Sequence, residues 1–275
     1  MNDLDSLASG LALAPACLVQ VQATQGSVPR EAGTWMAVFA DRIVGTIGGG
    51  HLEHQAIAEA RRRLAGLGGE ARQRYALGPA LGQCCGGVVH LGFEMVHAAD
   101  LAPGAPLRER LQPLRHPVAL FGGGHVGHAL AQALAPLPFA LTWIDSRDGI
   151  FPVPPPPGAA CEHSDPVHLA VPALVPGTRV LIMSFSHAED LDVVAACLRR
   201  QREQGDLPFI GLIGSQTKWA TFSHRLAERG FAPHELAQVT CPIGVPGITG
   251  KEPAVIAVAV AAQLLQSLET AGAQS

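Results

Sequence analysis

The sequence predicts an α/β protein whose C-terminal part is a Rossmann-like, doubly wound parallel sheet, preceded by a smaller α+β N-terminal domain. Three observations carry this. Residues 118–145, VALFGGGHVGHALAQALAPLPFALTWID, read as a strand, a glycine turn, a helix and a second strand ending in an acid. Beyond them, short apolar strand segments alternate with helical ones, the pattern of βαβ units on a parallel sheet. A length of 275 residues predicts two domains at roughly 150 residues each.

From Cys17 to Thr24 apolar and polar residues alternate as in a half-buried strand. Trp35–Ala40 and Arg42–Thr46 form a hairpin pattern around Asp41, broken by Gly48-Gly49-Gly50. Leu52–Leu64 has helical spacing through Leu52, Ala56, Ile57, Ala60 and Leu64. The loop Gly82–Gly87 leads into a strand at Val88–Val96. The first region closes within 98–117, with a short helix at Leu107–Leu114, and the domains are set at 1–105 and 106–275. In the second region the run Phe151–Pro157 bars a helix or a central strand. The helix that usually joins the second and third strands is therefore expected to be missing or moved. Arg179–Met183 and Phe209–Ile213 read as buried strands, and Ala188–Gln201, Lys218–Arg229 and Pro253–Leu268 as helices.

Composition narrows the function. Hydrophobic residues make up 48% and charged residues only 15%, with a net charge of −4, which fits a well-buried globular protein and not a nucleic-acid binder. No apolar run reaches the roughly 18 residues of a spanning helix, so no membrane association is expected. Asp3 and Asp5 stand where a secretory leader would be positive, so six scattered cysteines are expected as reduced thiols in the cytoplasm.

Gly122, Gly124 and Gly127 fit G-x-G-x-x-G. The first permits a tight turn, the second lets a phosphate approach the backbone, and the third lets helix and strand pack closely. The N–H groups at the helix start then face an anion, helped by about half a positive charge from the helix dipole. His125 is placed to bond a phosphate. Asp145 stands where a carboxylate would bind a nicotinamide cofactor's ribose, and Arg147 where a 2′-phosphate would be met. Ser184–His187, with Asp190, and Gly214-Ser215-Gln216 follow later strands, so Ser215 is a further candidate at the crevice beyond the strands' carboxyl ends.

Cys84 and Cys85 lie in Gly82-Gln83-Cys84-Cys85-Gly86-Gly87, whose glycines leave the backbone open to a ligand. A thiol of ordinary pKa, about 8.5, is only a few per cent thiolate at neutral pH, so function there requires stabilisation of the thiolate. His51 and His54 match neither H-E-x-x-H nor a C-x-x-C pair, so zinc is not expected. No nucleophile elbow or Walker loop is present.

Several blocks together resemble the XdhC/CoxI family. They are Gly26-Ser27-Val28-Pro29-Arg30, Gly33 to Met36, Gly45 to Glu53, Gly82–Gly87, Phe121–Val126, Ile213-Gly214-Ser215, Cys241-Pro242-Ile243-Gly244 and Ile248 to Pro253. Val28 departs from the commoner Thr, and the Pro152–Pro157 tract is not a familiar feature of that family. The resemblance implies an accessory protein, not a classical enzyme. Such a protein binds the molybdenum cofactor (molybdopterin), supports its sulfuration by a cysteine desulfurase and delivers it to xanthine dehydrogenase or a related molybdenum hydroxylase. It implies cofactor contacts at the glycine turn and at Cys84 and Cys85, whose sulfurs suit a soft metal such as molybdenum. A homodimer is left open. The alternative from another class is an NAD(P)-dependent oxidoreductase using Asp145.

Overall fold

The computed structural model describes residues 3–77 and 86–272. The chain divides into two units, Met1–Pro113 and Leu114–Ser275.

The first unit is built on an antiparallel sheet of β1 (Ala16–Gln25), β2 (Trp35–Val38), β3 (Ile43–Gly45), β4 (Arg72–Ala76) and β5 (Val88–Val96), in the order β3-β2-β1-β5-β4. Successive β1 side chains face opposite sides, and both sides are covered. Cys17, Val19 and Val21 pack with Leu52, Ala56 and Ala60 of α2 (Gly50–Leu64). Ala16 and Leu18 pack with Leu4, Leu7 and Leu11 of α1 (Asp3–Leu11) and with Leu107 and Leu111 of α3 (Pro106–Leu111). The strand is therefore buried on both faces over its first half, where alternation alone suggested one. In this unit α1 and β4 escape the sequence pattern, as β8 (Ala159–His163), α7 (Pro233–Leu236) and β11 (Val239–Thr240) do in the second. α1 is short, and β4 is a polar edge strand, RQRYA, with no fully buried residue.

The second unit is the parallel doubly wound sheet. Its strands are β6 (His116–Phe121), β7 (Phe139–Asp145), β8 (Ala159–His163), β9 (Arg179–Ile182), β10 (Phe209–Leu212) and β11 (Val239–Thr240), in the order β11-β10-β9-β6-β7-β8. Every pairing is parallel. The order reverses between β6 and β9, which is the switch point where such sheets bind ligands beyond the strands' carboxyl ends. One face carries α5 (His187–Gln204) and α6 (Gln216–Glu228), with α7 (Pro233–Leu236) beyond. The other carries α4 (His125–Leu134) and α8 (Pro253–Gly272). Leu130 and Leu134 of α4 and Leu264 of α8 are fully buried between helices and sheet, each contributing about 1.5–3 kcal/mol.

Residues 146–158, which join β7 to β8, hold no helix, in keeping with the proline run. Ser186 caps α5 by accepting from the Glu189 N–H at 3.2 Å, and Gly205 ends it in the left-handed region at φ 65°. Among the described residues no helix is long and apolar enough to cross a membrane.

Candidate functional site

The glycine turn after β6 is held from below by the two strands flanking β6. Gly122 has φ 122°, a conformation that side chains avoid, and a Cβ there would overlap the Met183 carbonyl after β9. The Gly122 carbonyl accepts from the indole Nε1–H of fully buried Trp143 on β7, at 2.9 Å. A Cβ on Gly127 would overlap that same carbonyl, so the helix sits directly on the turn. Gly124 differs. Its φ is −74°, a Cβ there would meet nothing within 4 Å, and no side chain caps α4. The first N–H groups of α4 thus face open space beside exposed His125. This is the form of a small anion cradle.

Asp145 ends β7, 2% exposed, and its carboxylate is fully engaged. Oδ2 accepts from the Gly123 N–H at 2.5 Å and from Arg147 Nη2 at 2.9 Å. Oδ1 accepts from the Arg147 backbone N–H and from Nε, both at 2.9 Å. Burial alone would raise the Asp145 pKa, but the Arg147 guanidinium and the two backbone donors outweigh it and hold it below the ordinary carboxylate range.

Beyond β9, Asp190 is also 2% exposed and accepts from the Ser184 N–H and from Lys218 Nζ, both at 2.7 Å. Lys218 Nζ donates in addition to the Ile213 carbonyl at 2.8 Å. The pair locks the loops after β9 and β10 together. The Ser184 hydroxyl is buried there without a hydrogen-bond partner among the described residues. Ser184 follows Met183, whose carbonyl backs Gly122, so this orphaned hydroxyl lies at the switch point.

Two family models match the chain: the XdhC Rossmann domain over residues 118–264, and the XdhC and CoxI family over residues 12–76. The chain belongs to the XdhC/CoxI family. It is 28% identical over 260 residues to "Uncharacterized protein YqeB" of Escherichia coli K12, covering 92% of this chain and 43% of that protein. It therefore spans less than half the length of that relative. A solved structure described as a xanthine dehydrogenase from Bacillus halodurans has the same fold. Its TM-score is 0.74 at 19% identity, over 98% of this chain and 96% of that one.

Within the XdhC/CoxI Rossmann unit, Gly122, Gly124, His125, Gly127 and Asp145 come together at the ends of β6 and β7. Ser215 stands apart, at the end of β10 with β9 between, and its hydroxyl is used to cap α6 by accepting from the Lys218 N–H at 3.2 Å. Cys84 and Cys85 lie outside the described residues. The backbone that follows them is placed: Gly87 packs against Gly26 and the Gln25 and Ser27 carbonyls, and its own carbonyl accepts from the Leu77 N–H at 2.8 Å. Among the described residues no three His, Cys, Asp or Glu side chains are gathered to hold a metal. Sequence reasoning missed Trp143 and Lys218. Lys218 left a signal: a cation in the first turn of α6 opposes the helix dipole and calls for an acid nearby.

Proposed function

We propose that this chain is an accessory protein for xanthine dehydrogenase or a related molybdenum hydroxylase. In this reading it holds the molybdenum cofactor, supports its sulfuration with a cysteine desulfurase, and hands it to the apoenzyme in the cytoplasm. The observation that carries the reading is the uncapped α4 behind Gly124, an anion cradle open to solvent in a chain of this family. The residues fit the group. A phosphate would be met by the α4 N–H groups and His125, and the Ser184 hydroxyl is a buried polar group left without a partner among the described residues at the switch point. Cys84 and Cys85 would supply the sulfur ligands. Bound, the cofactor contributes a molybdenum centre and a phosphate, and the protein contributes shelter and orientation.

The nicotinamide alternative requires Asp145 to accept from a ribose hydroxyl. Its four acceptor positions are taken by Gly123 and Arg147, which favours the accessory reading.

The test is the pterin content of the purified protein together with the activity of a coexpressed xanthine dehydrogenase. Copurified molybdopterin and a raised sulfurated fraction of the partner support the reading. Equal partner activity with and without this chain, under molybdenum-replete conditions, counts against it.

A further inference from the structure

The loops after β7 and β9 meet across the end of β6, the strand that carries the glycine turn. The Arg147 guanidinium lies over the Phe185 ring, 4.5 Å from its centroid. Ser146 Oγ donates to Glu189 Oε1 at 2.7 Å, and the other oxygen of Glu189 accepts from the Phe185 N–H at 3.1 Å. A nucleotide seated in the usual way puts its phosphate on the turn and its ribose on the acid ending β7. Its base then passes between these two loops. Here both places are filled: Asp145 has no free acceptor, and the Arg147–Phe185 stack occupies the gap between the loops. Phe185 is 65% exposed, so burial does not explain its place. An aromatic held out in water beneath a guanidinium is a stacking contact.

We propose that Arg147–Phe185 and Ser146–Glu189 form a clamp that closes the nucleoside half of the crevice, so that the glycine turn accepts a non-nucleotide phosphomonoester and rejects dinucleotides. This rests on the reading of the turn as a phosphate site and adds the residues that set its selectivity. Phe185 has no bond to the glycine turn or to the α4 N–H groups, so removing its ring leaves phosphate binding in place.

The experiment uses the full chain and three probes: inorganic phosphate, 6-hydroxymethylpterin phosphate and NAD. Isothermal titration of the wild type is expected to show both phosphate probes bound and NAD at least about tenfold weaker than the pterin phosphate. Phe185→Ala should bind the phosphate probes as the wild type does and gain NAD affinity by about threefold, because the gap opens while Asp145 stays engaged. Arg147→Ala/Phe185→Ala, which also frees Asp145, should gain about tenfold or more. Phe185→Ala alters an exposed side chain and keeps the Asp145–Arg147 pair, so it remains informative should the double variant not fold. Wild type that binds the phosphate probes and NAD equally overturns the clamp alone. Folded variants that gain no NAD affinity overturn it as well. Wild type that binds none of the probes overturns the phosphate reading of the turn, and the clamp with it.

Discussion

Gly127 sits directly beneath Gly122: a single carbon added at 127 would overlap the carbonyl oxygen of 122. That oxygen already accepts from Trp143, so it has no room to move away. Gly127→Ala is therefore expected to destabilise the second unit by about 1–3 kcal/mol, the usual cost of overpacking a well-packed site. Urea denaturation checks this, and an unchanged midpoint would show that turn and helix separate freely.

Gly124→Val separates binding from folding. The added side chain meets open space at an ordinary φ of −74°, so the unfolding midpoint should stay close to that of wild type. The same side chain stands where an anion must reach the backbone, and phosphate and pterin retention should fall by about tenfold or more. Circular dichroism with titration reads both. A folded variant with normal affinity would make the turn purely structural.

Asp145→Asn tests the bond network around the turn and its pH dependence. The folded carboxylate titrates below its ordinary value of about 3.9. The stability it contributes is present above the unfolded pKa and is lost as pH falls through the lower, folded one. Asn cannot satisfy Arg147 in the same way, so a loss of about 1–3 kcal/mol is expected at neutral pH. The difference between wild type and variant should shrink as pH falls below about 4. A difference that stays constant to the acid limit would mean that the carboxylate is not held by Arg147 in solution.

The glycine turn, the helix packed on it and the acid at the end of β7 were legible because each imposes a residue type locally. What Asp145 does was not. The carboxylate stands where a ribose contact is expected, and only the fold shows that Arg147, two residues on, turns back to occupy it. Lys218 and Asp190 are 28 residues apart, and no local pattern joins them. β4 was missed for a related reason: an edge strand needs a single ladder partner and no apolar face, so its sequence carries little signal.

The Asp190–Lys218 pair is buried, with side-chain exposures of 3% and 12%. Removing one member leaves the other charge without compensation, at a cost of about 3–5 kcal/mol. Asp190→Ala also strips the Ser184 N–H of its acceptor. The double variant Asp190→Ala/Lys218→Met should then be more stable than Asp190→Ala alone, because no lone cation remains in the core. A double-mutant cycle by chemical denaturation measures this coupling. Strict additivity would show that the pair contributes nothing as a pair.

Thiol labelling tests the remaining and most consequential assignment. Burial pushes the Cys17 thiol up to about 11 and Cys197 to about 12, and both are enclosed in the cores of their units. A thiol at about 11 holds roughly 300-fold less thiolate near neutral pH than one at about 8.5, so neither should alkylate before unfolding. Partial burial raises the Cys161 thiol as well, but the residue is exposed and should label well ahead of Cys17 and Cys197. Cys84 and Cys85 decide the proposed role. If they hold the molybdenum centre, iodoacetamide should modify them in the cofactor-free protein and spare them once the cofactor is loaded, while Cys161 labels equally in both. Site-resolved mass spectrometry reads each cysteine in the same sample. Equal labelling of Cys84 and Cys85 in loaded and unloaded protein would remove the sulfur ligands from the proposal and leave it resting on the glycine turn and the family.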